Sequence, residues 1–167
     1  MTFFDGDGKS DVGAAWNNNG LTTLTIRKSN GTTFSPIHWL EDAGRWFDAS
    51  VFLAGDFNGD GISDIAQMWN DIANNSIKVY LSNGSAFQPA DAWATRDGGS
   101  PLIVKWVSGD FNGDGKSDIT AVWESKGVNV LTVRISDGAK FGVAQRSENN
   151  GGWSPTTAWC AGKFDPH

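Results

Sequence analysis

The residues best suited to chemistry carry oxygen and recur at even spacing. Two stretches read D-x-N-x-D-G-x-x-D: Asp56, Asn58, Asp60 and Asp64, then Asp110, Asn112, Asp114 and Asp118. Side-chain oxygens at positions 1, 3 and 5 converge on one point when a chain curls tightly, and Gly61 and Gly115 permit the curl. The carbonyls of Ile62 and Lys116 at position 7 can add an oxygen, and the Asp at position 9 completes the shell. Hard oxygen donors in a flexible loop select Ca2+ over zinc or copper. The closing acid at position 9, followed by a strand-like run, separates these loops from the EF-hand, whose loop ends in a Glu between two helices. A third, imperfect copy lies near the start. There Phe3 holds position 1, leaving Asp5, Asp7, the Lys9 carbonyl and Asp11. Two strong calcium sites and one weaker one are expected per chain. Crowded carboxylates repel unless a cation sits among them, so the ion is expected to hold the fold rather than to react.

The loops belong to a longer repeat. Asp7, Asp60 and Asp114 correspond, and Trp16, Trp69 and Trp123 follow each at the same interval. Leu24, Ile77 and Leu131 come next, then Asn30-Gly31, Asn83-Gly84 and Asp137-Gly138, then Phe34, Phe87 and Phe141. No insertion interrupts this half of the unit. The remainder, running to Gly55, Gly109 and Gly162, is much less alike. Fixed spacing marks packing, and free spacing marks exposed loops where binding usually lives. The units span about 2–54, 55–108 and 109–162 within a single domain covering 1–167.

Each unit reads as β-structure. Ile77, Val79 and Leu81 alternate with Lys78 and Tyr80, and Leu131, Val133 and Ile135 alternate with Thr132 and Arg134. That period of two buries one face. The Asn-Gly and Asp-Gly pairs predict type I′ hairpin turns. Ile65–Trp69 and Ile119–Trp123 read as buried strands, so Trp16, Trp69 and Trp123 are expected in the core. A further strand fits Phe52–Ala54, Trp106–Ser108 and Trp159–Ala161. Four short strands per unit is the cadence of a propeller blade. The chain starts and stops at one phase of the repeat, so the strand near Trp159 is expected to complete the blade that begins at Phe4. Three blades do not close a ring; a homodimer makes six. The expected fold is therefore an all-β propeller of four-stranded blades, three per chain, closed as a six-bladed homodimer. A fragment of a larger propeller, natural or designed, is the rival.

Composition excludes several functions. Of 19 acidic residues only Glu41, Glu124 and Glu148 are Glu, which disfavours long helices. A formal charge of −6 argues against a nucleic-acid interface built on a basic patch. Hydrophobic residues at 39% do not suit a membrane span. The lone Cys160 rules out an intrachain disulfide and any cysteine zinc cluster. His38 and His167 are too scattered for a metal triad, and no nucleophile–His–acid set or phosphate loop is present, so no enzyme is expected. No positively charged start leads into an apolar run, so no signal peptide is expected in this chain.

The G-D-F-N-G-D-G-x-S-D segments at 55–64 and 109–118 resemble FG-GAP/VCBS repeats, the blades of integrin α-chain propellers. The Trp-rich units are similar to Psathyrella velutina-type propeller lectins. The resemblance covers essentially the whole chain as three tandem units. It implies a propeller with calcium loops between strands, a secreted or cell-surface setting, and, for the lectin branch, sugar sites at blade edges.

The variable halves suit that chemistry. A sugar offers an apolar C–H face for aromatic stacking and a fringe of hydroxyls for polar side chains. Trp39 and Trp93 hold nearly the same place in their units, and Trp46 and Trp153 form a second pair. His38, Asp42, Arg45, Arg96, Asp97, Glu148 and Asn149 lie around them. The candidate sugar site is His38, Trp39, Asp42, Trp46, Trp93, Arg96, Asp97, Glu148, Asn149 and Trp153. The expected function is a calcium-stabilised, multivalent carbohydrate-binding protein whose partners are glycans. The alternatives are an integrin-like protein-binding module, or a propeller fragment without its own ligand.

Overall fold

The structure, a computed structural model, describes residues 3–71, 74–88, 91–98, 104–142, 145–147 and 151–162. Every helix or strand among them is a β-strand. The first sheet holds β1 (Val12–Asn18), β2 (Leu21–Ser29) and β3 (Phe34–Leu40). The second holds β4 (Val51–Gly55), β5 (Asp64–Asp71), β6 (Asn74–Tyr80) and β7 (Asp91–Gly98). The third holds β8 (Val104–Gly109), β9 (Asp118–Ser125), β10 (Val128–Arg134) and β11 (Gln145–Ser147). Strand order follows chain order within each sheet, and all pairings are antiparallel. The chain is all-β and propeller-like.

Sequence units and sheets are offset by one strand. Unit 55–108 supplies β5, β6 and β7 to the second sheet but β8 to the third. The Asp loops therefore bridge the first and second strands of a sheet, and the variable halves cross from one sheet to the next. β4 and β8 lie against each other, with Ser108 Oγ donating to the Ala54 carbonyl at 2.8 Å.

Turn chemistry differs from the sequence expectation. Asn19-Gly20 and Lys126-Gly127 both take paired positive φ, at +52° and +89° and at +53° and +80°. These, rather than the Asn30, Asn83 and Asp137 pairs, are the type I′ hairpins, joining β1 to β2 and β9 to β10. Asn30, Asn83 and Asp137 instead cap longer turns. Asn83 Oδ1 accepts from the N–H groups of Ser85 (3.0 Å) and Ala86 (2.9 Å), and Asp137 Oδ1 accepts from Ala139 (2.9 Å) and Lys140 (2.8 Å). A side-chain acceptor satisfies the turn amides without positive φ at its own residue.

The core lies between sheets. Phe57, from the second Asp loop, meets Phe141 edge-on at a centroid distance of 5.8 Å, with Trp93 beside Phe141 at 5.3 Å. Phe4 repeats this against Phe87 (5.9 Å) and Trp39 (6.5 Å). Such edge pairs contribute about 0.5–1.5 kcal/mol each beyond area burial. With a neighbour on both faces, strict alternation fails: Tyr80 is as fully buried as Ile77 and Val79. Its hydroxyl lies 2.7 Å from Gln67 Oε1 and 3.0 Å from the Ala43 carbonyl.

Two features of the single chain differ from expectation. Residues 159–161 pair with no described strand of the chain itself. The first sheet consequently shows three described strands where four were expected. Trp16, Trp69 and Trp123 are not in the core: Trp16 is 37% exposed and the other two are half-buried. They sit near the hairpin ends of their strands, where the neighbouring sheet covers less.

Candidate functional site

The Asp loops are curled by their own side chains. Asp56 Oδ1 accepts from the N–H of Gly59 (2.6 Å) and Asp60 (3.1 Å), and Oδ2 accepts from Gly61 (2.8 Å). Asn58 Oδ1 accepts from Asp60 N–H at 2.9 Å, and Asp60 Oδ1 from Ile62 N–H at 2.8 Å. Gly59 and Gly61 carry φ of +82° and +86°, which a side chain would strain. The loop at 110–118 repeats each bond: Asp110 to Gly113 (2.6 Å) and Gly115 (3.0 Å), Asn112 to Asp114 (3.0 Å), Asp114 to Lys116 (2.9 Å). The first loop keeps two, Asp5 to Asp7 N–H (3.1 Å) and Asp7 to Lys9 N–H (2.8 Å).

The position-9 acids act as staples. Asp64 accepts from Phe57 N–H (3.0 Å) and Ser82 N–H (2.9 Å), tying the loop start to the end of β6. Asp118 does the same with Phe111 (2.9 Å) and Ser136 (2.9 Å), and Asp11 with Phe4 (3.1 Å) and Ser29 (2.9 Å). Burial pushes the Asp64 carboxyl up to about 7, against the pull of its two amide donors and with added repulsion from Asp60 and Asp56. Burial likewise raises Asp118, opposed by the amides of Ser136 and Phe111.

Among the described residues, no group of three acidic, His or Cys side chains stands together as a metal cage. Their oxygens are engaged on loop amides instead. The donor chemistry still fits a hard cation in the loops at 56–64 and 110–118, where every candidate ligand atom is oxygen. Positive charge already collects on these carboxylates: Lys116 Nζ stands 3.0 Å from Asp114 and Lys9 Nζ 2.6 Å from Asp7. The Lys116 backbone amide, then its ammonium, holds Asp114 below the ordinary carboxylate range, and the Lys9 ammonium, then its amide, does the same for Asp7.

The variable segments dock on the hairpins. Trp46 N–H donates to the Gly20 carbonyl at 2.8 Å, and Trp153 N–H to the Gly127 carbonyl at 3.0 Å, so the two tryptophans hold equivalent places. Next to Trp46, Phe47 stacks on Trp69 at 4.8 Å and 9°. The Arg45 guanidinium lies 5.3 Å from the Phe47 centroid, and Lys78 Nζ lies 5.6 Å from the Trp69 centroid. Trp46 stacks on Phe52 at 5.8 Å and donates from Nε1 to Asp48 at 3.1 Å.

The sugar candidates fall into three groups. Trp39 and Trp93, at 6% and 4% exposure, are inter-sheet core, a correction: no face is open to a ligand. Trp46 and Trp153 are half-buried in the variable segments, with exposed Asp42 on the segment that leads to Trp46. His38 lies on β3, and Arg96 and Asp97 lie on β7. Glu148 and Asn149 lie outside the described residues. Sequence reasoning missed Phe47, Lys78 and the surface role of Trp69, which come together from a crossover segment and two strands. Adjacent Trp46-Phe47 was the one local sign.

Comparison with known families now bears on this geometry. Residues 4–67 match an FG-GAP-like repeat family. The matched span runs from Phe4 through the first sheet and the complete 56–64 loop into β5. The matched segment is similar to an FG-GAP-like repeat and takes in the first two Asp loops, and the 110–118 loop repeats the hydrogen bonds of the 56–64 loop further along the chain. No curated protein matches the chain significantly.

Proposed function

We propose that the protein is a calcium-stabilised carbohydrate-binding protein, a lectin working outside the cell or at its surface. The observation that carries the reading is the Phe47–Trp69 stack in a crossover segment, flanked by Arg45 and Lys78. The half-buried edges of the two rings offer apolar contact for a sugar's C–H groups, and the two cations offer partners for its hydroxyls. Trp46 and Trp153, placed alike on the hairpins of the first and third sheets, support more than one such surface per chain. Weak sites gain avidity by repetition. Asp56, Asn58, Asp60, the Ile62 carbonyl and Asp64 would hold one calcium, and Asp110, Asn112, Asp114, the Lys116 carbonyl and Asp118 a second. Asp5, Asp7, the Lys9 carbonyl and Asp11 form the weaker third. Bound calcium supplies charge neutralisation, which fixes the loops and through them the sheets.

The finer architecture in this reading is a six-bladed ring made by two copies. A glycan array in calcium, followed by titration of the best sugar, tests the function. Binding lost on Trp69→Ala supports it. No binding at millimolar sugar, with calcium present, removes it.

A further inference from the structure

Two sheet junctions within the chain use one set of contacts. At the first, Phe4 packs on Phe87, the Phe4 carbonyl accepts from Ser82 Oγ at 2.9 Å, and the Phe3 carbonyl accepts from Ser63 N–H at 2.9 Å. At the second, Phe57 packs on Phe141, the Phe57 carbonyl accepts from Ser136 Oγ at 2.7 Å, and the Asp56 carbonyl accepts from Ser117 N–H at 2.6 Å. By repeat position the third set is Phe111 with Phe34, Phe111 carbonyl with Ser29, and Asp110 carbonyl with Ser10. These residues lie on the two outer faces of the array.

Their exposure marks both faces as unfinished. Phe111 is 44% exposed where Phe4 is 1% and Phe57 0%. Phe34 is 55% exposed where Phe87 is 3% and Phe141 6%. The edge of β1 repeats the contrast: Val12 is 48% exposed where Ile65 is 4% and Ile119 0%, each covered by a preceding strand. A groove of about 260 Å³ runs along that edge, lined by Phe4, Val12, Ala14, Phe52, Ala54 and Ile65. The segment with the matching repeat phase, 158–162, pairs with no described strand. It lies beside β8, with Ala161 Cβ 3.2 Å from where a Cβ on Gly109 would stand. Its Trp159 Nε1 is buried without a partner.

We propose that this chain docks head to tail on a second copy of itself, Phe111 seating on the partner's Phe34 while 158–162 pairs with the partner's β1 edge. The inference rests on the two-copy ring proposed above and names its surfaces. The register follows from the repeat. Ala54 faces Ile65 and Ser108 faces Ile119, so Ala161 faces Val12; Phe52 faces Gln67 and Trp106 faces Ala121, so Trp159 faces Ala14. A self-closed ring of three sheets is too tight, whereas six falls within the propeller range. A head-to-tail contact closes only if its rotation completes the circle, and otherwise grows into filaments.

The test mixes Val12→Cys and Ala161→Cys chains one to one, both carrying Cys160→Ser, in calcium with a short bis-maleimide. Denaturing gels read covalent dimers, and native mass reads the assembly. Expected are a two-chain mass and a covalent dimer from the mixture, none from either chain alone, and at least a fivefold weaker link when Trp16→Cys replaces Val12→Cys. Phe34→Asp is expected to shift the unlinked protein to a one-chain mass. A two-chain mass without the matched link leaves the ring standing and overturns this seat. A one-chain mass for the unsubstituted protein overturns both, and three or more chains, or filaments, overturn the two-copy closure. Sugar binding by the unsubstituted protein is read separately, so the lectin reading stands or falls by itself.

Discussion

Lys28 Nζ stands 2.7 Å from Asp5 Oδ2, in the loop that lacks an acid at position 1. The matching residues of the other units are Leu81 and Ile135, which bring no charge. An ammonium thus sits on the Asp5 carboxylate, which is only 7% exposed. The Asp5 hydrogen bond in turn raises the Lys28 pKa.

Calcium stoichiometry should reflect that lysine. Calorimetric titration is expected to give two tight sites per chain and a third at least tenfold weaker. Lys28→Met should strengthen the third by removing a like-charged competitor. Three equal sites in the unsubstituted protein would contradict the role given to Lys28.

Asp64 holds two buried amides, and Asp64→Ala strands both. Each unsatisfied buried donor costs about 1–3 kcal/mol, so urea unfolding in chelator should show a loss of about 2–6 kcal/mol. Asp64→Asn keeps one acceptor oxygen and should lose less.

Without calcium, stability should fall as pH rises from 4 to 7. Asp64 has its folded pKa raised to about 7 from an ordinary 3.8. The folded state therefore holds a proton that the unfolded chain has released, and the stabilisation, complete below pH 4, is lost as pH climbs to 7. The slope from this group approaches about 1.4 kcal/mol per pH unit. Calcium favours the carboxylate, so saturating calcium should flatten or reverse the trend. Urea midpoints at pH 5, 6 and 7, in chelator and in calcium, read both slopes, and Asp64→Asn should reduce the slope in chelator, leaving the part due to Asp118.

Tryptophans should separate by role. Trp93→Ala empties a buried site beside Phe141 and should cost about 3–5 kcal/mol of stability. Trp69→Ala removes a half-buried ring from the Phe47 stack and should cost about 1–2 kcal/mol while weakening sugar binding at least tenfold. Thermal unfolding beside glycan titration separates them. Equal loss of stability from both would undo the assignment of Trp69 to a surface.

The sequence alone determined the repeat, its phase, the Asp loops, and the strands β4, β5, β6, β8, β9 and β10. All rest on local spacing: an Asx-rich loop curls on its own amides, and short apolar or alternating runs before and after it extend. The hairpin turns were misplaced because Asn-Gly carries two local solutions, a type I′ turn or an Asx cap, and strand pairing chooses between them. Only the tertiary structure decided which aromatics are core. Trp39 and Trp93 are buried, and Trp16 is open, according to which neighbouring sheet covers each ring. The Phe47, Trp69 and Lys78 surface, and the contrast between Phe111 and Phe57, were hidden for the same reason: burial between sheets depends on what packs alongside, and no spacing within one unit encodes it.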